Sequence, residues 1–306
     1  MHLSVVVPTL NARDRLAASL DALAEHAPDA EIVVVNGPSS DGTSGMVRDH
    51  PAPDALLELS ERNLNSARNA GIAATAGDVV AFVSQDSQIE SGWVDTVATA
   101  MESGADVVTG PVHRRVNGGV TTESPETRSM GSRSVQYFDG GNVAFTRPTI
   151  EILDGFDQYL HTGAARDAAH RLAGMDVAVE WDAEMVVMRA ETDDVRHRIG
   201  EDDMPTVLGL KYRSLGYRLG KNYGLSGPSL ASAFRHPLLE ALEEGWNVVR
   251  GETKPSQWLA SGRSVVTNLA MGAQDGLAAR LKDRSPTRNP NGVSAQSNRP
   301  VTTYSL

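Results

Sequence analysis

The stretch Leu3-Ser4-Val5-Val6-Val7-Pro8-Thr9 is an apolar, β-branched run that ends near a proline, which is the pattern of a buried strand. Residues 13–26 follow it with leucines at helical spacing. Similar strand-like runs recur between helical segments, at 32–35, 56–60 and 78–83. Strands that alternate with helices in short units predict an α/β fold with a doubly wound, mostly parallel sheet.

Polar residues follow each of these predicted strands. Thr9 and Asn11 come after the first strand, Asn36 after the second, and Ser84-Gln85-Asp86 after the fourth. The carboxyl ends of parallel strands meet at one edge of such a sheet, and ligands bind there. The sequence therefore predicts a binding cleft at this edge.

Composition narrows the class of protein. The chain has 306 residues, a formal net charge of -11 and no cysteine, so disulfides and cysteine metal sites are excluded. No apolar run approaches the ~18 to 20 residues of a membrane span, and no charged leader precedes the first strand, so we expect a cytosolic protein. The acidic balance argues against nucleic acid as a partner.

The charged residues are unusual in kind, because only four are lysines and arginine supplies nearly all the positive charge. An acidic, lysine-poor surface stays hydrated at high salt. The composition is therefore typical of a salt-rich cytoplasm, although an ordinary acidic protein is the alternative.

The C-terminal third differs from the rest. Residues 204–239 contain no Asp or Glu but five Lys and Arg, and an apolar stripe of Leu208, Tyr212, Leu215 and Leu219 falls at helical spacing. A basic amphipathic helix of this kind predicts attachment to an anionic membrane surface. The alternative is that the stripe packs on the α/β domain.

Three segments follow from these patterns. We expect an α/β domain over 1–200, a helical extension over 201–282 that associates with the membrane, and a disordered tail over 283–306, which is rich in Ser, Pro and Asn. Within the first segment, 112–134 is polar and lacks periodicity, which predicts a loop or insertion.

Seven short motifs resemble the family-2 glycosyltransferases in order and spacing. They are Val5–Asn11, Glu31–Thr43, Asn65–Gly71, Phe82–Ser87, Gly140–Asn142, Gly155–Asp157 and Asp167–Leu172. The resemblance covers about residues 3–190. It implies the GT-A fold and transfer of a sugar from a nucleotide-diphosphate donor.

The resemblance also implies roles for individual residues. The expected nucleotide-binding residues are Pro8, Thr9, Asn11, Asn36, Asp41 and Arg68. The expected acceptor-side residues are Gly141, Asn142, Asp157 and Arg171. Asp41 is also a good helix cap, and Asn36-Gly37-Pro38 departs from the usual acidic pair, so the identity of the donor is less well defined than the fold.

Diphosphate departure in this family usually needs Mg²⁺ or Mn²⁺ held by a carboxylate. Members usually carry an Asp-X-Asp motif, whereas this chain has Ser84-Gln85-Asp86. We therefore expect Asp86 to be the only carboxylate that binds the divalent cation, with diphosphate oxygens and water as the other ligands. Its alternative role is a cap on the following helix.

The catalytic base of the family is missing at its expected place. The family pattern aligns Ala164 and Ala165 with the Glu-Asp pair whose Asp deprotonates the acceptor hydroxyl. Asp167, two positions later, is the predicted base, although it is equally placed to orient the helix. Two further explanations are an acceptor phosphate that needs no base and a catalytically silent relative.

The acidic composition and the basic helix together resemble haloarchaeal transferases that assemble dolichol-phosphate-linked glycans. This implies an inverting transferase that adds a hexuronic acid from a UDP-sugar to a dolichol-phosphate-linked glycan, at the cytosolic membrane face, for N-glycosylation of S-layer and other proteins. The alternatives are a silent subunit of the assembly machinery and a transferase for another surface polysaccharide. A nucleotidyltransferase is disfavoured because no Gly-rich phosphate loop follows the first strand.

Overall fold

The computed structural model describes residues 1–116, 119–122, 124–130, 133–190, 204–224, 255–282, 285, 288–295 and 300–306. The strands are β1 Leu3–Thr9, β2 Glu31–Asn36, β3 Ala55–Glu58, β4 Val79–Val83, β5 Ser87–Ile89, β6 Val107–Thr109, β7 Val112–Val116, β8 Gly119–Thr122, β9 Thr127–Met130, β10 Arg133–Gln136, β11 Asn142–Thr146, β12 Val179–Trp181, β13 Val187–Arg189 and β14 Thr302–Ser305. The helices are α1 Arg13–His26, α2 Thr43–Asp49, α3 Leu64–Ala74, α4 Trp93–Glu102, α5 Arg147–Ile152, α6 Ala164–Leu172, α7 Met204–Tyr223 and α8 Pro255–Lys282, and a 3₁₀ turn covers Val293–Ala295.

The central sheet has eight strands in the order β12-β6-β11-β4-β1-β2-β3-β14. β1 to β4 are parallel to one another, β12 is parallel to β6, and β11 and β14 run antiparallel to their neighbours. The predicted doubly wound, mostly parallel α/β sheet with C-terminal helices is confirmed.

Alternate side chains of the central strands enter two separate cores, as the pleat requires. Val5 and Val7 pack on one face with α1 and α4. Val6 points to the other face, where a Cβ on Gly71 of α3 would lie 2.3 Å from its Cγ1. Because glycine stands at position 71, α3 lies directly on β1, and this contact brings the N-terminal half of α3 to the cleft edge of the sheet.

The polar segment 112–134 is not a loop throughout, as the sequence led us to expect. β7 joins a second, four-stranded sheet in the order β5-β13-β7-β8, and β9 pairs with β10 in a hairpin. Polar strands with solvated faces lack the apolar alternation that identifies a strand in sequence. The second sheet brings β13 antiparallel to β5, next to the end of β4.

Helices α7 and α8 cross at very short range. A Cβ on Gly216 would lie 2.1 Å from the carbonyl oxygen of Leu269, and a Cβ on Gly272 would lie 2.0 Å from that of Arg213. Glycines on both helices therefore let the two backbones touch. In the described part of the chain, no helix is long and apolar enough to cross a membrane.

The alternative interpretation of the amphipathic helix is the one observed, because α7 packs on the α/β domain. Tyr212, Tyr217 and Leu219 are buried, and so are two of the basic residues expected at a membrane surface, Arg218 and Lys221. Lys211 remains exposed. Residues 225–239 of the acid-free block lie outside the described residues.

Lys221 attaches α7 to the domain through buried ion pairs. Its Nζ donates to Asp157 Oδ2 at 2.7 Å and to Asp167 Oδ2 at 2.8 Å, and all three side chains are fully buried. Asn222 Nδ2 donates to Asp167 Oδ1 at 2.9 Å, and Tyr217 donates to Asp157. The boundary predicted at residue 200 therefore does not separate α7 from the fold.

The tail predicted to be disordered over 283–306 is ordered wherever the structure describes it. Asn289 donates to the carbonyl of Asp154, Asn291 donates to Asp157 Oδ1, and β14 pairs with β3. Its Ser, Pro and Asn content indicated weak apolar burial, but side-chain amides and a free sheet edge supply the contacts.

Replacing Lys221 with methionine should destabilise the fold by about 3–5 kcal/mol, because Asp157 and Asp167 would lose their shared cation while still buried. Urea unfolding followed by circular dichroism measures this change. The matched control is Lys211→Met, an exposed lysine on the same helix, which should change stability by less than about 0.5 kcal/mol. Equal effects of the two substitutions would contradict the assigned role of Lys221.

Candidate active site

The carboxyl ends of β1 and β2 meet as predicted, with Thr9 in register with Asn36. Gln85, from the end of β4, ties this edge together: its Oε1 accepts from Thr9 Oγ1 at 2.9 Å and from the backbone N–H of Leu10 at 2.8 Å. Pro8 and Thr9 are buried here, and the Thr9 hydroxyl is used by Gln85.

The other residues predicted to bind the nucleotide on this side differ in how exposed their side chains are. Asn36 is buried, and its amide is used internally, accepting from Ser39 Oγ at 2.7 Å and donating to Ser44 Oγ at 2.8 Å. Asn11 is exposed at the edge with a positive φ of 48°. Asp41 accepts from the N–H groups of Arg13 and Thr43, the first residues of α1 and α2, so its carboxylate stabilises these helix starts, although the N-cap residue of α2 is Gly42.

Arg68, predicted to contact the donor, reaches the cleft from α3. It donates to the carbonyl of Gly140 at 3.0 Å and to Asn65 Oδ1 at 3.0 Å, and its Nε is buried without a hydrogen-bond partner. Burial lowers the pKa of Arg68 to about 10, opposed by the charge of Asp139, so the guanidinium stays protonated at neutral pH. A buried cation with an orphan N–H suits an anionic ligand.

Asp86 lies at the predicted edge and is followed by β5 rather than a helix, so it is not a helix cap. Its partner is Arg189 at the end of β13, whose Nε is 3.6 Å from Asp86 Oδ1. The same guanidinium donates two hydrogen bonds to Asp139, one to each carboxylate oxygen, both at 3.1 Å. One arginine therefore bridges two carboxylates at the rim of the sheet.

This donor set fits Mg²⁺ or Mn²⁺ poorly. Ser84 stands where the family has its first carboxylate, and the Asp139 oxygens are taken by Arg189 and by the N–H of Gly141. Burial raises the pKa of Asp139, but the charge and hydrogen bonds of Arg189 outweigh burial and lower it. Among the described residues, no three His, Cys, Asp or Glu side chains group as a metal site needs. The predicted cofactor stays a prediction, and the geometry of these residues does not favour it.

A cleft of about 860 Å³ opens beside this rim. Its lining comes from α3, the β10–β11 connection and the start of α6, and includes Arg68, Glu126, Tyr137, Asp139, His161 and Ala164 to Arg166. A Cβ on Gly140 would lie 2.9 Å from Arg68 Nη2 and 3.1 Å from Ala165 Cβ. Position 165, where the family has its base, therefore lies across Gly140 from Arg68.

The prediction that Asp167 is the base is wrong. The Asp167 side chain is fully buried on the inner side of α6. Its carboxylate oxygens accept hydrogen bonds from Lys221, Asn222 and Arg171. Burial raises its pKa, but the charges of Lys221 and Arg171 dominate and hold that pKa below its usual range. The carboxylate orients the helix, which is the alternative that the sequence left open.

The four predicted acceptor-side residues have structural contacts. Asn142 is buried and accepts from Trp93 Nε1 at 2.9 Å, and Gly141 accepts from the N–H of Ser84 through its carbonyl. Asp157 binds Lys221, and Arg171 donates to the carbonyls of Leu153 and Gly155. These contacts hold the surrounding segments together, and none of the four residues lines the cleft.

Sequence reasoning missed three residues of the site. Asp139 and Arg189 were not predicted as site residues, because they are 50 residues apart in the sequence and only the fold brings them together. Arg166 pairs with Glu126 at 2.7 Å and stacks 4.4 Å from the ring centre of Tyr137. The sequence offered one local signal for these two residues, namely that each is a charged residue at the end of a short apolar run.

Solved structures share this architecture. S. aureus TarS 1-349, solved with UDP-GlcNAc, has a TM-score of 0.62 at 15% identity over 92% of this chain and 91% of that one. The mannosyltransferase PcManGT from Pyrobaculum calidifontis, in complex with GDP-Man and Mn²⁺, has a TM-score of 0.55 at 17% identity over 93% and 88%. These similarities show the GT-A fold.

Curated relatives match over shorter segments. Glycosyltransferase AglE of Haloferax volcanii is 30% identical over 129 residues, which are 39% of this chain and 42% of AglE. Glycosyltransferase GlyA of Streptococcus pneumoniae is 32% identical over 113 residues, which are 35% of this chain and 16% of GlyA. The chain thus spans less than half the length of these relatives.

A family model matches the part of the chain that forms most of the cleft. It is Glycosyl transferase family 2, and it matches residues 4–153, from β1 to the turn after α5. This agrees with the motifs, the sheet order and the fold similarities. Residues 4–153, just under half of the chain, are therefore similar to the glycosyl transferase family 2, and the chain has the GT-A fold.

Proposed function

We propose that the chain is an inverting glycosyltransferase that moves a sugar from a nucleotide-diphosphate donor to a dolichol-phosphate acceptor. The observation that carries the proposal is the cleft of about 860 Å³ beside the carboxyl edge of β1 and β4, where Arg68 and Asp139 line one wall. A donor at this edge would place its diphosphate near the guanidinium groups. The named structural neighbours bind UDP-GlcNAc and GDP-Man, which supports a nucleotide-sugar donor.

The finer assignment is a hexuronic acid from a UDP-sugar, added at the cytosolic membrane face during N-glycosylation of S-layer and other proteins. The acidic, lysine-poor composition and a relative from Haloferax volcanii support a haloarchaeal setting. Cleft arginines support an anionic substrate, since Arg68 and Arg166 both line the cavity.

The lining of the cleft favours an acceptor that is already anionic. Ala164 and Ala165 hold the place of the base. Burial raises the pKa of Glu126, but Arg166 and Arg128 outweigh it and keep that carboxylate ionised in ion pairs. A phosphate oxygen of the acceptor would attack the anomeric carbon as the bond to the donor diphosphate breaks, with inversion and without proton transfer. We therefore propose dolichol phosphate itself as the nucleophile.

Membrane contact would come from the exposed side of the α7 and α8 pair. Leu210, Val266, Met271 and Leu281 are each exposed by 43% or more. Lys282 and Arg263 are exposed beside them. Apolar side chains flanked by basic ones are typical of a peripheral contact with anionic lipid.

A specific alternative is the silent relative, which Ala164 and Ala165 also favour. Purified chain, a UDP-sugar panel and dolichol phosphate separate the two functions by mass spectrometry of the lipid product. We expect one glycosylated lipid phosphate from one donor. Donor binding without product on any acceptor would favour the silent relative and contradict the proposed transfer.

Restoring the missing carboxylate should create hydroxyl transfer. Ala165→Asp places a carboxylate beside Arg68 and should raise the rate on a dolichol-phosphate-linked sugar acceptor about 100-fold, the ordinary contribution of a general base. Ala73→Asp, at an exposed position of α3, is the control and should leave the rate unchanged. A wild-type chain that already uses the hydroxyl acceptor as fast as dolichol phosphate would contradict the anionic nucleophile.

Vesicle flotation tests the membrane contact. The chain should float with vesicles that contain phosphatidylglycerol, and the triple variant Val266→Ser, Met271→Ser and Leu281→Ser should lose most of that binding, because about 2 kcal/mol of burial per large side chain is removed. Neutral phosphatidylcholine vesicles serve as the control for charge. Equal flotation of the variant would exclude this face as the membrane contact.

A further inference from the structure

We propose that Arg189 supplies the positive charge that neutralises the leaving diphosphate, in the place where the family uses a divalent cation. This inference rests on the proposed function. It concerns a residue that β13 brings to the rim, next to Asp86, Asp139 and Ser84.

The position of Arg189 is built into the sheet. Arg189 is in register with Ser87 on β5, and the N–H of Ala190 donates to the carbonyl of Asp86 at 2.8 Å. Two carboxylates hold the guanidinium, one in a bidentate pair at 3.1 Å and one at 3.6 Å. The side chain is 14% exposed, so it is fixed in place and still partly accessible, and its partner Asp139 lines the cleft.

The charges at the rim balance without a metal. A family site places two carboxylates around one dication. Here Asp86 and Asp139 face two guanidinium groups, those of Arg189 and Arg68, of which Arg68 also donates to Gly140 beside Asp139. A dication next to Asp86 would meet the Arg189 guanidinium, and this repulsion weakens its binding.

Serine at position 84 is part of the same arrangement. Arg189 Nη2 lies 3.4 Å from Ser84 Oγ, and its Nε lies 3.3 Å from Ser87 Oγ. Both distances are long for hydrogen bonds, so phosphate oxygens can replace these hydroxyls at little cost. A planar guanidinium fork matches two oxygens of a diphosphate.

In the transfer step, the bond from the anomeric carbon to the diphosphate oxygen breaks, and its electron pair remains on that oxygen. The acceptor oxygen forms the new bond to the anomeric carbon. Arg189 donates hydrogen bonds to the diphosphate as its charge grows and exchanges no proton with it. Asp86 and Asp139 are positioning residues that hold Arg189.

Calorimetry with UDP and GDP, in buffer that contains EDTA, tests the first half of the proposal. The wild-type chain should bind one of the two nucleotides without metal, and Arg189→Ala should weaken binding about 10- to 100-fold. Arg189→Lys should recover part of the loss. The control is Arg213→Ala, which removes an arginine in the middle of α7 that also pairs with an aspartate. This variant should bind as wild type.

Electron paramagnetic resonance with Mn²⁺ alone gives a readout that does not depend on transfer. The wild-type chain should hold no stoichiometric Mn²⁺, whereas Arg189→Ala should gain one site, because Asp86 and Asp139 lose their cation. Asp139→Asn in the Arg189→Ala background should remove that site.

Two results would overturn the role of Arg189. One is nucleotide binding by the wild-type chain that requires Mn²⁺ and is lost in EDTA. The other is unchanged nucleotide affinity in Arg189→Ala. Failure of the proposed function is distinguishable: a chain that binds a nucleotide in EDTA through Arg189 but forms no product contradicts the transfer alone, whereas a chain that binds neither nucleotide contradicts both proposals.

Discussion

The buried ammonium group of Lys221 is the contact on which the C-terminal half of the molecule depends. It lies within 2.8 Å of Asp157 and Asp167, so it joins α7, the turn before α6 and α6 itself into one unit. Asp167 faces inward to this cation, while the first residues of α6, Ala164, Ala165 and Arg166, line the cleft. The buried charge therefore fixes how α7 packs on the helix that borders the cleft.

Local patterns predicted the parts of the fold that local physics determines. α1 begins and ends where its leucine spacing indicated, at Arg13–His26, and the four parallel strands lie where β-branched runs were found. The hairpin of β9 and β10 escaped because its strands are polar. Lys221 was assigned to a membrane surface because its two partners lie 54 and 64 residues away, and nothing near it in the sequence signals burial.

The same contrast between local and long-range signals applies to the site. The edge of the sheet, Arg68 and Asp86 were found from strand ends and motifs, whereas Asp139 and Arg189 meet only through β13 and its antiparallel neighbour β5. Two of the departures from the family pattern, serine at 84 and alanine at 165, each lie near an arginine side chain. In our proposal, Arg189 takes the place of the metal, and Arg68 faces the vacant base position, so the cleft would accept two anionic substrates.

The most direct test is a crystal structure of the chain with its nucleotide-sugar donor, grown in Mn²⁺ and recorded at the manganese absorption edge. The account predicts a diphosphate hydrogen-bonded to Arg189, with Arg189 still paired to Asp139 and no anomalous peak at Asp86. A manganese peak between Asp86 and the diphosphate, with the Arg189 side chain turned away, would contradict it.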